Sequence, residues 1–230
     1  MRNSLGHAKL TKERSMGTAR NIFLFVSALF PIVDPLGGAP IFLSLTREYP
    51  AAARRTLSRQ IAINSFFLML GSYLIGTHIL AFFGISLPAV QVGGGLVVIS
   101  TGWALLKRKD EDDRDRMHQR THHEIYHQAF YPLTLPLTVG PGSISVAITL
   151  GANASHAGIN FFAILAAVVG SIVVALTIFL CYGFADRLAR MLGVTAMTVI
   201  MRLTSFLLLC IGVQIVWNGL SAFLVTLKLH

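Results

Sequence analysis

One carboxylate stands where a soluble protein would not leave it. Asp34 lies in the segment FPIVDPLGGAP, residues 30–40, inside an apolar run from Asn21 to Thr46. The other acidic residues, Glu13, Glu48, Asp110 to Asp115, Glu124 and Asp186, fall in polar stretches or at the ends of apolar runs. An ionisable group at membrane depth costs about 2.5–3.5 kcal/mol even on the mildest insertion scale, which marks it as a functional candidate. Two chemistries suit it. Asp34 can pair with a substrate ammonium group or carry a coupling proton; alternatively, it accepts hydrogen bonds from nearby unpaired amides and holds a break in the helix.

The residues around it favour a break. Pro31, Pro35 and Pro40 are spaced P-x3-P-x4-P, and the same spacing recurs about a hundred residues later in YPLTLPLTVGPGSISV as Pro132, Pro136 and Pro141. Proline removes a backbone donor and clashes with the preceding turn, and glycine admits positive φ. The amides near Gly37 and Gly38, and from Gly140 through Gly142 to Ser143, can then cradle an anionic group at helix starts. Hydroxyls at Thr134, Thr138, Ser143 and Ser145 add neutral donors, and nothing basic lies at the same depth. A zwitterion suits such a site: its carboxylate meets amides, and its ammonium meets Asp34 or exposed carbonyls.

Elements long enough to hold these blocks in a bilayer follow from the composition. Hydrophobic residues make up 54% of the 230 and charged residues 13%, and mean hydropathy is +0.66, so the chain is expected to be an all-α polytopic membrane protein. Apolar runs of about 20 residues, the length that crosses a bilayer, fall at 21–46, 60–83, 87–106, 129–151, 159–183 and 199–225. These predict six spans. Each proline block opens a set of three, and the third spans also correspond, FGISLPAVQVGGGLVV against LGVTAMTVIMRLTSFLLL, with Gly84 facing Gly193 and Ser86 facing Thr195. An odd-numbered repeat must enter the membrane from the opposite side. The expected organisation is therefore a polar N-terminal tail (1–20), a first three-helix repeat (21–106), a charged cytoplasmic loop (107–128) and a second three-helix repeat (129–226), with inverted topology and with spans 1 and 4 broken at the blocks.

The net charge of +9 reflects topology, not nucleic acid, because no RNA- or DNA-binding signature accompanies the basic residues. Most lie in the odd-numbered connections: Arg47, Arg54, Arg55 and Arg59; Lys107 to Arg120; Arg187, Arg190 and Arg202. The positive-inside rule makes these cytoplasmic and puts both termini outside, in the cell membrane. Arg2, Lys9, Lys12 and Arg14 dissent, and all precede Met16, an alternative start. No secretory signal peptide is evident.

The remaining polar residues point to no covalent chemistry. His78 in span 2 reads as a packed histidine, with proton carriage as the alternative. Arg202 reads as snorkelling to the interface, with a gate as the alternative. Cys181 and Cys210 read as small apolar side chains without metal-like spacing. The loop KRKDEDDRDRMHQRTHHEIYH carries His118, His122, His123 and His127, whose i, i+4 pairs can hold zinc on a helix; without a cysteine or a second shell, no metal site is expected. No HExxH, CxxC, paired carboxylates, Ser/His set or GxxxxGK[ST] occurs at membrane depth. Neither an enzyme nor a cofactor is expected, and energy would come from a gradient or another subunit.

Four stretches carry a resemblance: LFPIVDPLGGAPIFLSLT (29–46), FGISLPAVQVGGGLVV (83–98), YPLTLPLTVGPGSISVAI (131–148) and RLTSFLLLCIGVQIVWNGL (202–220). Over roughly residues 18–225 the chain resembles the MarC family of integral membrane proteins, also called the neutral amino acid transporter family. The resemblance implies a six-helix inverted-repeat protein that moves small neutral amino acids such as glycine and alanine. Two positions depart from the family pattern: Asp34-Pro35 stands where Asn-Pro is usual, and Gln91 where arginine is usual, which leaves Arg202 without a repeat mate.

The reading as a whole is a secondary transporter of small zwitterionic amino acids in the lipid bilayer, alternating between two halves. The substrate-binding candidates are Pro31, Asp34, Pro35, Gly37, Gly38, Pro40, Pro132, Thr134, Pro136, Gly140, Pro141, Gly142 and Ser143. Asp34 is the coupling candidate, with a proton or sodium as the ion, and Arg202 is a possible gate. A channel or carrier for another small solute or ion, a non-transporting membrane partner, and an intramembrane enzyme or electron carrier are the alternatives.

Overall fold

The computed structural model describes residues 2–46, 49–107, 129–156 and 161–228, all of whose regular elements are helical. They are α1 (Arg2–Val33), α2 (Pro35–Leu45), α3 (Ala51–Phe82), α4 (Leu87–Lys107), α5 (Ala129–Thr138), α6 (Pro141–His156), α7 (Phe161–Gly183) and α8 (Ala185–Lys228). Five stretches are long and apolar enough to cross a membrane: Thr18–Leu43, Ala51–Phe82, Leu87–Lys107, Phe161–Gly183 and Thr198–Val225. The expected fourth span, 129–151, differs. It is split between α5, of 10 residues, and α6, of 16, and neither piece alone reaches the length a crossing helix needs.

α1 runs as one helix from Arg2 through the polar N-terminal residues into the apolar stretch. The histidine loop and its metal question lie outside the described residues.

Both proline blocks interrupt helices, but not at matching places. In the first, Pro31 is accommodated in the last turn of α1 and Pro40 lies inside α2. The break falls at Asp34, ahead of Pro35. In the second, Pro132 and Pro136 lie within α5, a π-helical segment, and the break comes at Val139–Gly140, ahead of Pro141. Both new helices thus begin with proline at the first position, where its missing N–H would have had no partner anyway. Threonine hydroxyls follow the five-residue spacing of the π-helix: Thr134 Oγ1 donates to the Ala129 carbonyl at 2.6 Å, and Thr138 Oγ1 to that of Leu133 at 2.7 Å.

The core lies where α1, α2, α3, α5, α6 and α7 meet, with Leu29, Phe42, Ile61, Met69, Val174 and Tyr182 buried. The outward faces are apolar instead of polar, as Phe67, Phe82, Leu203 and Trp217 show by their exposure. A surface of this kind fits hydrocarbon.

α4 and α8 pack mainly on each other. Gly95 faces Gly212 and Val216, Gly102 faces Ser205 and Leu209, and Gly219 faces Pro88 and Val92. Numbers rise on one helix as they fall on the other, so the pair is antiparallel. Small residues seven apart bring the backbones together, as in membrane helix pairs generally. The two left-handed glycines, Gly84 with φ 65° and Gly193 with φ 73°, are the pair that the sequence aligned. Gly84 precedes α4, and Gly193 interrupts α8 before its long apolar part.

α3 packs on α5, α6 and α7, while α7 packs on α1, α2 and α3; α4 touches α6, and α8 touches α2. Arg54, at the start of α3, forms an ion pair with Asp186 of α8 and donates to the Tyr49 carbonyl at 2.9 Å. The α2–α3 and α7–α8 connections therefore meet at one end of the bundle.

Candidate functional site

The two breaks face each other across a cavity of about 230 Å³. Asp34, Gly37 and Gly38 line one side, and Gly140, Pro141, Gly142 and Ser143 line the other. Apolar side chains of α4 and α8, among them Val97, Val98, Leu105 and Leu208, close it, together with Thr101 and Thr138. Among the described residues that line it, none is basic.

The two helix starts present opposite electrostatics. At α2, Asp34 adopts the left-handed conformation, φ 44° and ψ 62°, and its Oδ1 accepts the Gly37 N–H at 3.0 Å. Short polar side chains tolerate this conformation because they bond locally. The carboxylate thereby caps the positive end of α2 and brings a negative charge to the cavity. At α6 the residue before the helix is Gly140, which has no side chain to cap with, and Pro141 has no N–H. The Gly142 and Ser143 amides have no acceptor within the helix, as in any first helical turn, so this end is suited to an anionic group. One side of the cavity is acidic and the other donates hydrogen bonds.

α6 is held in place by close approach. A Cβ at Gly142 would strike Val98, and one at Gly94 would strike Ser145, whose hydroxyl donates to the Val90 carbonyl at 2.9 Å. The Gln91 amide donates to Thr149 at 3.4 Å on the same helix pair.

Several candidates lie elsewhere. Pro31, Pro35, Pro40 and Thr134 do not line the cavity, and the side chains of Pro132 and Pro136 lie outside the described ones. Thr134 is fully buried against α3, where it accepts from Asn64 Nδ2 at 3.4 Å. Arg202 is exposed on α8 and lines no part of the cavity, and His78 is exposed on α3.

The sequence reading missed two residues beside the site. Tyr182 of α7 is buried, stacks on Phe42 with ring centroids 4.8 Å apart, and shares a 3.1 Å hydrogen bond with Thr138. Its hydroxyl occupies the space that a Cβ on Gly38 would need. Thr204 of α8 faces the Asp34 carboxylate. The available signal was a tyrosine and a threonine in otherwise apolar spans, but no repeat or spacing linked either to the proline blocks. Tyr182→Phe should cost about 1 kcal/mol, the usual worth of one hydrogen bond, because Thr138 keeps its bond to Leu133. Thermal unfolding of the purified variant checks this, and a loss several times larger would give the hydroxyl another role.

Comparison with known proteins agrees with this architecture. The family model described as MarC family integral membrane protein matches residues 19–224. The chain is 33% identical over 203 residues to UPF0056 membrane protein YvbG of Bacillus subtilis, covering 87% of this chain and 93% of that one. It is 28% identical over 218 residues to UPF0056 inner membrane protein MarC of Salmonella typhimurium, covering 92% and 99% respectively. UPF0056 membrane protein YhcE of Escherichia coli is 29% identical over 203 residues, covering 86% and 91%. No solved structure matches. A family match across nearly the whole chain, together with long apolar helices and their apolar outer faces, identifies a multi-pass integral membrane protein that belongs to the MarC family.

Proposed function

We propose that this protein is a secondary transporter of small neutral amino acids, of the size of glycine or alanine, and that it performs no covalent chemistry. The observation that carries the reading is the cavity between two broken helices, with a carboxylate at one helix start and uncapped amides at the other. A zwitterion fits that polarity in one orientation, its ammonium toward Asp34 and its carboxylate toward Gly142 and Ser143. Size points the same way. A cavity of about 230 Å³ lies below the roughly 300–1,000 Å³ common for drug-sized ligands, and branched side chains on α4 and α8 narrow it further.

Alternating access requires two movable halves, which we assign to α1–α4 and α5–α8 as three-span repeats of inverted topology, α5 and α6 together making the fourth of six spans. The packing supports this. Exchanging α1 with α5, α2 with α6 and α3 with α7 turns the α3–α5 and α3–α6 contacts into α7–α1 and α7–α2, each of which occurs. The antiparallel α4–α8 pair is what inverted equivalents produce. In this arrangement the Arg54–Asp186 pair marks the cytoplasmic end, and both termini lie outside.

Counterflow of labelled glycine and alanine in proteoliposomes tests the function. Saturable counterflow is expected, because a carrier returns label against its own gradient and a channel does not. Asp34→Asn should fold, since asparagine tolerates the same backbone conformation and keeps the acceptor for Gly37, while the pH response of uptake is lost. Absence of counterflow from folded protein across a broad amino-acid panel would overturn the reading. An unchanged pH response would remove Asp34 from coupling.

A further inference from the structure

The outer face of the bundle is not evenly convex. Between α3 and α7 it holds a groove of about 460 Å³, larger than the cavity between the two breaks. The two helices run antiparallel, with Ser58 beside Gly183 at one end and the Tyr73 hydroxyl donating to the Ala163 carbonyl at the other. Ala62 and Ala175, both buried, form the floor, where longer side chains would have filled the space. Ile63 and Phe67 of α3, and Ile172 and Leu176 of α7, are exposed and stand up as its walls.

One lining residue is not apolar. Arg59 stands at the end of the groove nearest the Arg54–Asp186 pair, and it is the last charged residue of α3, because 60–82 contain no Asp, Glu, Lys or Arg. It therefore sits where the helix enters hydrocarbon, at the depth of lipid headgroups. From Arg59 to Phe67 the groove extends roughly 12 Å at the helical rise per residue, against roughly 15 Å for the apolar half of a bilayer that belongs to one leaflet. The groove spans most of one leaflet and starts at a cation. α7 carries no charged residue between Phe161 and Gly183, so charge marks that end alone.

The arginine also decides between occupants. Arg59 is exposed, and among the described residues no acid pairs with it. A second copy of the chain would suit the walls but bring it no counter-ion. The acids among the described residues are Glu13, which precedes the apolar part of α1 at the opposite end, Asp34 beside the cavity, and Asp186, which Arg54 holds. A phosphate group takes two parallel hydrogen bonds from a guanidinium, and exposed Arg55, one turn earlier on the same face of α3, adds a second cation. We propose that this groove binds one phospholipid with an anionic headgroup, its acyl chain lying on the Ala62 and Ala175 floor and its phosphate on Arg59. The lipid bridges α3 and α7 and stabilises their packing. This assignment is independent of what the cavity carries.

The test uses the full-length protein in detergent, with dimyristoyl phosphatidylglycerol or dimyristoyl phosphatidylcholine added at equal mole fraction. Native mass spectrometry counts the lipids retained, and thermal unfolding follows their effect. One phosphatidylglycerol per chain should be retained in preference to phosphatidylcholine, with a saturable rise in the unfolding midpoint. Arg59→Gln should raise the half-saturating phosphatidylglycerol fraction about fivefold, the usual worth of one basic residue at an anionic surface. Arg190→Gln, which removes an exposed arginine of α8 outside the groove, should leave it unchanged. Ala175→Leu should fill the floor and lose the bound lipid; if that variant does not fold, the two arginine variants still decide. Equal retention of the two lipids, equal weakening by both arginine variants, or the same protection by inorganic phosphate alone would overturn the site. So would a dimer that Leu176→Ala dissociates, which would give the groove to a second copy.

Discussion

Gly212→Leu should drive α4 and α8 apart and prevent the bundle from folding. A Cβ at position 212 would lie 2.8 Å from the Ile99 backbone nitrogen and 2.9 Å from the Gly95 carbonyl oxygen. Those are main-chain atoms of a facing helix and cannot step aside as a side chain can. The helices must separate, and the matching approaches at Gly95, Gly102 and Gly219 are lost together. Overpacking of a well-filled interface usually costs about 1–3 kcal/mol, and a change that opens the whole α4–α8 seam belongs at or above the top of that range. Gly93→Leu provides the control on the facing helix of the pair, because nothing lies within 4 Å of a Cβ there. It should be neutral or slightly stabilising, since leucine favours helix over glycine by up to about 1 kcal/mol. Trp103 on α4 and Trp217 on α8 are both exposed and give a fluorescence readout of unfolding in detergent. Equal melting of the two variants would mean that the seam is not close-packed.

Gly38→Val is expected to abolish transport through a different collision. The first obstacle to a Cβ at position 38 is the Tyr182 hydroxyl, followed by ring carbons at 3.2 and 3.3 Å. Tyr182 cannot swing away, because it is buried, stacked on Phe42 and bonded to Thr138. α2 must then move off α7, which displaces Asp34 and one wall of the cavity. A distortion of about 1.4 kcal/mol or more leaves the competent arrangement at least tenfold rarer, so counterflow should fall by that factor or beyond. The identity of the obstacle gives a sharper check. Gly38→Ala should be impaired, and adding Tyr182→Phe should partly restore it by removing the first atom met. Valine at position 38 should not be rescued, since its extra methyl groups meet the ring itself. Wild-type counterflow in Gly38→Val, or no rescue of the alanine variant, would show that α2 and α7 are not locked in this way.

How much of this was legible beforehand depends on whether the cause is local. Proline spacing is a property of the chain, so both interruptions could be read from Pro31 to Pro40 and from Pro132 to Pro141. The pairing of Gly84 with Gly193 was equally visible, and both adopt the left-handed conformation that glycine permits. Where each block breaks was not legible. Asp34 can cap a helix that begins at Pro35, whereas its counterpart in the second block, Leu135, cannot, and the five-residue turns run on to Val139, whose N–H donates to the Thr134 carbonyl. The division of the expected fourth span follows from that difference.

Composition, apolar run lengths and the repeated prolines by themselves determined a helical membrane protein with two interrupted segments and a lone acid at one of them, because these rest on the cost of placing charges and unpaired backbone in hydrocarbon. Tertiary structure alone decided which of the candidates face one cavity, why Thr134 and Arg202 do not, and that Tyr182 and Thr204 stand beside Gly38 and Asp34. Those contacts join residues far apart in the chain, and their geometry is fixed by how closely glycine lets one helix approach another.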